Sequence, residues 1–196
     1  MPKQDPPLYC WDSCVFSSWL DEVPDRVKVL APMLEDAEKG KVRIWASVLV
    51  MTEVAYVAAE RDKGRKPDDK QEARIDAFWM PQSPVERIVE LHPGIATYAR
   101  GLIRQSMQKA WNLKPPDAIH LATAHVVGAT EFHTYDRDLE RWSDIIGVKV
   151  CAPHTDQLPF EGTSVSKGQD KVDTSSDAEK PVSAAHNKPG PASPTA

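Results

Sequence analysis

Apolar runs of two kinds alternate along residues 7–153. Short β-prone runs, such as LYCW at 8–11 and VRIW at 42–45, precede longer stretches in which apolar residues recur every three or four positions. Alternating strand-like and helix-like runs are typical of a mainly parallel sheet flanked by helices on both faces. The pattern therefore predicts a single doubly wound α/β domain.

The individual elements follow from these runs and from their punctuation. Ser47 suits the N-cap of the helix that follows the second strand, and Pro115 and Pro116 suit the first turn of another helix because proline lacks an N–H group. The predicted strands cover 8–11, 42–45, 85–91, 131–134 and 148–151. The predicted helices cover 15–20, 25–39, 48–61, 71–79, 93–109, 117–127 and 136–142.

Composition changes after Pro153. The stretch over 154–196 is rich in Ser, Pro, Lys, Asp and Ala, has Phe160 as its one aromatic residue, and shows no apolar period. Such a segment cannot bury enough apolar surface to fold. We expect a single folded domain at 7–153 to be followed by a disordered tail at 154–196.

Charge and cysteine content narrow the class of protein. A net charge of −5 excludes a strongly basic protein whose bulk charge neutralises nucleic-acid phosphates. Three cysteines without a CxxC pair favour a reducing compartment. Because no apolar stretch approaches the roughly 20 residues that span a bilayer, and the N-terminus lacks secretory features, we expect a cytoplasmic protein.

Four acidic residues occupy positions of chemical interest. Asp12 and Asp136 follow predicted strands at their carboxyl ends, where ligands bind in open α/β sheets, and Asp117 lies in the first turn of a predicted helix. Glu53 lies among valines, where an ionised carboxylate costs several kcal/mol unless it is paired or binds a metal. Taken singly, the aspartates could be helix caps, and Glu53 could pair with a core Arg or Lys.

The four acids taken together favour a different interpretation. Clustered carboxylates raise one another's pKa and persist when a cation compensates their charge. An all-oxygen ligand set selects Mg²⁺ or Mn²⁺ rather than zinc. The sequence thus indicates a divalent-cation site formed by Asp12, Glu53, Asp117 and Asp136.

Motifs around these acids carry a family resemblance. They are YCWDSCVF at 9–16, TEVAYV at 52–57, PPDAIHLATA at 115–124 and HTYDRDL at 133–139. In order and spacing they resemble the PIN domain (PilT N-terminus) nuclease family, especially its VapC-type toxins. One departure is Cys14, where many members carry Asn or Ser.

The resemblance implies a ribonuclease that leaves a 5′-phosphate without a covalent enzyme intermediate. It implies that Asp12 and Asp117 anchor the metal most directly, while Glu53 and Asp136 complete the site directly or through waters.

Other nearby side chains have lesser expected roles. Ser13 and Thr134 resemble hydroxyl positions that steady the acids in the family, with ordinary strand-end hydrogen bonding as the alternative. Asp138 is a less favoured participant in metal binding. His120 is interpreted as a packed or surface residue of the helix rather than as a metal ligand.

Binding partners are inferred from local charge and from the resemblance. Some basic residues could bind RNA phosphates, or could be ordinary solvated surface charges. They are Arg65, Lys66, Arg100 and Arg104. The resemblance also implies a homodimer and a cognate antitoxin. A housekeeping PIN nuclease of RNA processing and a non-catalytic RNA-binding PIN domain are the alternatives, whereas a haloacid-dehalogenase-type phosphatase would need an aspartate where Cys14 stands.

Overall fold

The computed structural model of this chain describes residues 5–61 and 66–155. Arg65 and residues 156–196 of the predicted tail lie outside the described residues. His154, placed in the tail by the sequence prediction, is described and hydrogen-bonded to Glu131.

The centre of the domain is a five-stranded sheet with the order β3-β2-β1-β4-β5. All the described strand pairings are parallel, as the alternating pattern predicts. Cys10 lies opposite Trp45 on one side and Phe132 on the other, so the first strand is central. The strands are β1 (Leu8–Trp11), β2 (Arg43–Ser47), β3 (Val85–Val89), β4 (Glu131–His133) and β5 (Lys149–Cys151).

Helices cover both faces of this sheet. They are α1 (Ser13–Leu20), α2 (Pro24–Glu38), α3 (Val50–Glu53), α4 (Asp69–Asp76), α5 (Pro93–Gln108), α6 (Pro115–Val126) and α7 (Ser143–Ile146), with 3₁₀ turns at Ala58–Glu60 and Arg137–Trp142. Side chains of a strand alternate between faces, so β1 contributes to two cores. Cys10 packs with Leu121 of α6, whereas Trp11 packs with Phe16 of α1 and Leu30 of α2. No helix among residues 5–61 and 66–155 is long and apolar enough to cross a membrane.

The predicted helix over 48–61 is wrong beyond its first turn. The helix ends at Glu53, and Val54 leaves the helical region with φ −98° and ψ 53°. The segment is rich in β-branched residues, which lose side-chain freedom in a helix. Tertiary contacts then take the backbone donors: Ala58 N–H donates to Asp21 Oδ1 at 2.6 Å. Ser47 belongs to β2 and is not the N-cap, which is Leu49.

The start of α6 agrees with the sequence prediction. Pro115 occupies the first helical position, where no backbone donor is needed, and Lys114 is the N-cap residue. Asp117 therefore lies in the first turn. The carboxyl ends of β1 and β4 also meet, because Asp12 N–H donates to His133 O at 3.0 Å. The fold thus brings together the carboxyl ends of β1 and β4, which are followed by Asp12 and Asp136.

Candidate active site

Asp12 is held rigidly at the end of the central strand. Only 6% of the residue is exposed. Its Oδ1 accepts a hydrogen bond from Ser13 N–H at 2.7 Å, and its Oδ2 accepts one from the Thr134 hydroxyl at 2.7 Å. Asp12 is also the N-cap residue of α1, so the capping role considered from sequence coexists with its central position in the acidic cluster.

Thr134 joins Asp12 to Asp136. Its hydroxyl donates to Asp12 Oδ2 and accepts from Asp136 N–H at 3.0 Å. Because the Thr134 residue is only 2% exposed, these bonds are shielded from water. Asp136 also caps the 3₁₀ turn after β4, since its Oδ1 accepts from Asp138 N–H at 2.9 Å. The arrangement fixes the strand ends of β1 and β4 relative to each other.

Glu53 pairs with a histidine rather than with the Arg or Lys considered from sequence. His120 Nε2 lies 2.6 Å from Glu53 Oε2 and 3.9 Å from Asp12 Oδ1. His120 is 1% exposed, and it lies three residues after Asp117 on α6. The sequence interpretation missed its role. The available signal was the spacing of three, which puts His120 and Asp117 on the same side of a helix.

The charges of this pair support each other. Burial opposes ionisation of Glu53, but hydrogen bonds from His120 and Ser13 and the charge of His120 lower the pKa of its carboxyl. Burial likewise opposes the charged form of His120, yet the hydrogen bond to Glu53 and the negative charges of Asp12, Glu53 and Asp117 raise the pKa of the imidazole. Each partner therefore favours the charged form of the other.

Asp117 shares the electrostatic environment of the other acids. Burial raises the pKa of its carboxyl first, and the negative charges of Asp12 and Asp136 raise it further. His120 and Lys114 act in the opposite direction. These effects indicate that Asp117 lies near Asp12, His120 and Asp136, at the carboxyl ends of β1 and β4.

Glu53 is less enclosed than its valine neighbours suggest. Val50 and Val54 are fully buried, but 29% of the Glu53 side chain is exposed. The carboxylate is therefore partly open to solvent while it contacts the buried His120. Carboxylate oxygens gathered in this way match the ligand preference of hard divalent cations.

Comparison with known families decides the classification. The family model of the PIN domain matches residues 9–144, a range that includes all four acids. The chain belongs to the PIN domain family. Membership supports a hydrolytic nuclease.

Solved structures share the fold of this PIN domain at low sequence identity. VapBC2 from Rickettsia felis bound to a promoter DNA fragment has TM-score 0.56 and 17% identity, covering 73% of this chain and 96% of that one. VapBC-1 from nontypeable Haemophilus influenzae has TM-score 0.55 and 12% identity, with coverages of 74% and 97%. DNA-bound VapBC from Salmonella typhimurium has TM-score 0.54 and 14% identity, with coverages of 74% and 96%. No curated protein sequence is significantly similar to this PIN domain.

Cys14, the departure from the family pattern, takes part in the polar network of this PIN domain. Its thiol donates to Asp12 Oδ2 at 3.2 Å and lies 3.4 Å from Thr134 Oγ1, while its sulfur accepts from Tyr135 N–H at 3.2 Å. Burial, followed by the charge of Asp12, raises the pKa of the thiol to about 12. Cys14 therefore acts as a neutral hydrogen-bonding group.

Several basic side chains of the PIN domain lie near the acids or line a groove beside them. Lys114 acts electrostatically on Asp117, and Arg26 and Arg61 line a polar groove that begins at Ser13 and Cys14. Sequence reasoning did not single out Lys114 or Arg26 as RNA-binding residues. Of the predicted set, Lys66 is exposed, and Arg100 and Arg104 are exposed one turn apart on α5. Asp138 pairs with Arg141, and 77% of its side chain is exposed.

Proposed function

We propose that this PIN domain is an Mg²⁺- or Mn²⁺-dependent endoribonuclease and the toxin of a type II toxin–antitoxin pair. The observation that carries the proposal is that Asp12, Glu53 and Asp117 all act electrostatically on the buried His120, while Asp136 acts on Asp117. RNA is the proposed substrate, and a phosphodiester bond is the bond that is hydrolysed.

The residues fit a divalent cation. Their donor atoms are carboxylate oxygens, which Mg²⁺ and Mn²⁺ prefer, and burial together with the charges of Asp12 and Asp136 raises the pKa of Asp117. Such mutual repulsion is relieved by a bound cation. Asp12 and Asp117 would hold the ion directly, and Glu53 and Asp136 directly or through waters. A divalent cation here supplies Lewis-acid stabilisation of the charge that develops on the phosphoryl oxygens.

The neighbouring side chains position the acids for this task. Ser13 N–H and the Thr134 hydroxyl fix one oxygen each of Asp12, so the carboxylate cannot rotate freely. His120 fixes Glu53 in the same way. Preorganised acids lose little conformational freedom during the reaction. In the proposed reaction water attacks phosphorus, the bond from phosphorus to the 3′-oxygen breaks, and the products carry a 5′-phosphate and a 3′-hydroxyl.

A path for the RNA backbone starts beside the acids. The polar groove of Ser13, Cys14, Arg26 and Arg61 has a volume of about 350 Å³. Arg26 is held in place, because its Nη1 donates to Ser18 Oγ at 2.7 Å and its guanidinium lies 3.8 Å from the Tyr135 ring centroid. Local arginines can bind phosphates although the whole chain is acidic.

An antitoxin partner and a homodimer belong to the same proposal. The VapBC complexes that share the fold support the partner, and a mainly apolar groove offers it a surface. Trp19, Leu34 and Phe78 line this groove between α1, α2 and α4, with Glu35 and Arg74 also in its lining. Light scattering of the purified chain, alone and with the product of its genomic neighbour, measures both assemblies.

The nuclease assignment is tested with three asparagine variants. Asp12→Asn and Asp117→Asn should abolish Mn²⁺-dependent cleavage of RNA while retaining the folded circular-dichroism spectrum. Asp138→Asn is the matched control, because Asp138 is exposed beside Arg141, and it should keep the activity. Chelation by EDTA should stop cleavage, and added Mg²⁺ or Mn²⁺ should restore it. Full activity of Asp12→Asn or Asp117→Asn would refute the assignment.

The toxin assignment needs a cellular experiment. The chain is expressed with and without its genomic neighbour, and the 5′ ends of cellular RNA are sequenced. New 5′-phosphate ends and growth arrest that the neighbour suppresses support a toxin. New ends that the neighbour does not suppress favour the housekeeping alternative.

A further inference from the structure

Four side chains capable of binding a metal meet at the β4–β5 edge of the sheet. Glu131 and His133 alternate with Phe132 on β4, and Phe132 packs in the core beneath α5 and α6. Glu131 and His133 therefore point to the opposite face of the sheet. Cys151 pairs with His133 in the register of β4 and β5, and His154 follows shortly after β5. One donor atom from each of the four side chains lies within 4.8 Å of all the others.

Glu131 Oε2 is the centre of this group. It lies 2.8 Å from His133 Nε2, 2.9 Å from His154 Nε2 and 3.7 Å from Cys151 Sγ. His133 is fully buried, and 11% of the Glu131 side chain is exposed. The donors converge for three reasons. Alternation along β4 puts Glu131 and His133 on one face, and pairing with β5 puts Cys151 opposite His133. The chain after β5 then brings His154 to Glu131.

This cluster differs in chemistry from the acidic active site. Its donors are two imidazoles, one thiol and one carboxylate, whereas the active site presents four carboxylates. Mixed nitrogen and sulfur donors with a carboxylate select zinc over magnesium or manganese. None of the four residues is among the acids assigned to RNA hydrolysis.

We propose that Glu131, His133, Cys151 and His154 form a structural zinc site. Zinc bonds of about 2.0–2.3 Å place tetrahedral ligands roughly 3.3–3.8 Å apart, a spacing that the group reaches by small side-chain shifts. On binding, the Cys151 thiol loses its proton to solvent and becomes a thiolate ligand. The thiolate and the Glu131 carboxylate then balance the two positive charges of the ion. Four protein ligands complete the coordination, which is characteristic of structural rather than catalytic zinc.

Lys149 holds the carboxylate that the ion would share. Its Nζ donates to Glu131 Oε1 at 2.7 Å, which leaves Oε2 facing the histidines. Such outer contacts orient metal ligands. Lys149 Nζ also lies 3.3 Å from His154 Nε2, and zinc binding replaces this contact by a bond from the imidazole to the metal. The consequence is a link between β4 and the residues that follow β5.

Cobalt spectroscopy tests the site in the full chain. The Asp12→Asn, Asp117→Asn double variant serves as background so that the acidic cluster does not dominate metal uptake, and the protein is first treated with a chelator. Titration with Co²⁺ should saturate at about one ion per chain with tetrahedral visible bands and a thiolate-to-cobalt charge-transfer band in the ultraviolet. Zn²⁺ should displace the cobalt and abolish these bands.

Matched variants assign the thiolate and the imidazole. Cys151→Ser should lose the charge-transfer band, whereas Cys14→Ser should keep it because Cys14 lies at Asp12. His154→Gln, a change after the end of β5, should weaken cobalt binding at least tenfold and keeps the test valid if Cys151→Ser does not fold. Zn²⁺ should raise the melting temperature of the background protein and not that of His154→Gln.

Three outcomes overturn the proposal. The first is the absence of a thiolate-to-cobalt band in the folded background protein. The second is a band that persists in Cys151→Ser or disappears in Cys14→Ser. The third is unchanged cobalt affinity in His154→Gln. None of these measurements depends on nuclease activity.

Discussion

His120 Nε2 and Glu53 Oε2 lie 2.6 Å apart, and this contact joins α3 to α6, the helix that also carries Asp117. The hydrogen bond holds Glu53 at the acidic cluster although α3 is a single turn that ends at this residue. His120 is therefore a positioning residue in the proposed nuclease. Its influence should be visible in the metal dependence of cleavage.

His120→Gln should raise the Mn²⁺ concentration needed for half-maximal cleavage. The amide can still donate a hydrogen bond but cannot supply the positive charge that stabilises ionised Glu53. Loss of such an outer contact typically costs roughly 10–100-fold in metal affinity or activity. The measurement is the initial cleavage rate over a series of Mn²⁺ concentrations.

His125→Gln is the matched control on the same helix. His125 Nδ1 contacts Ile146 O and its ring stacks on Tyr98, so it belongs to a different environment. Its metal dependence should equal that of the parent protein. Equal metal dependence in His120→Gln would show that the pair with Glu53 does not position the site.

Thr134→Val should destabilise the fold by about 1–3 kcal/mol. Valine keeps the shape but leaves a buried oxygen of Asp12 and the N–H of Asp136 without the Thr134 hydroxyl, and unsatisfied buried groups cost this amount. Urea unfolding measures the free energy of unfolding. Thr134→Ser retains the hydroxyl and should recover most of the loss; a Thr134→Val protein as stable as the parent contradicts the prediction.

Cys14→Ser should preserve cleavage and folding. A hydroxyl can donate to Asp12 and accept from Tyr135 N–H as the thiol does, which agrees with the Asn or Ser found at this position in many PIN domains. Cys14→Val offers no such bonds and should reduce both activity and the free energy of unfolding. Cleavage assays and urea titration of the pair decide whether polarity at position 14 matters.

Arg61→Ala should weaken RNA binding and flatten its salt dependence. Removing one phosphate contact to single-stranded RNA lowers the slope of log affinity against log salt by roughly 0.7. Arg61 lines the polar groove beside Ser13, and its only described ion pair, with Asp21, is loose at 3.6 Å. Fluorescence anisotropy of a short RNA in the Asp12→Asn background avoids cleavage during the measurement.

Lys41→Ala is the control for RNA binding. Lys41 precedes β2 and therefore lies at the amino ends of the strands, opposite the acids. Its substitution should not change the slope. The sequence-predicted residues Lys66, Arg100 and Arg104 are tested in the same assay, and an unchanged slope in Arg61→Ala would remove the groove from the RNA path.

Sequence alone determined the succession of strands and helices along most of the domain. β1, α5 and α6 carry strong local signals, such as the apolar run LYCW and the prolines that begin each of the two helices. These signals act within a few residues, so no tertiary information is needed to interpret them. The acids at strand ends and in the first turn of α6 follow from the same local patterns.

Only the tertiary structure decided how the segment after β2 ends and what Glu53 contacts. Helical periodicity continues past Val54, but the Ala58 N–H donates to Asp21 Oδ1, and a contact across 37 positions is not encoded within a helical window. The partner of Glu53 lies 67 positions away in His120. Likewise, Glu131 and Cys151 become neighbours through the register of two parallel strands. Local sequence selects elements because its forces are short-ranged, whereas contacts between distant side chains exist only after the sheet has brought the strands together.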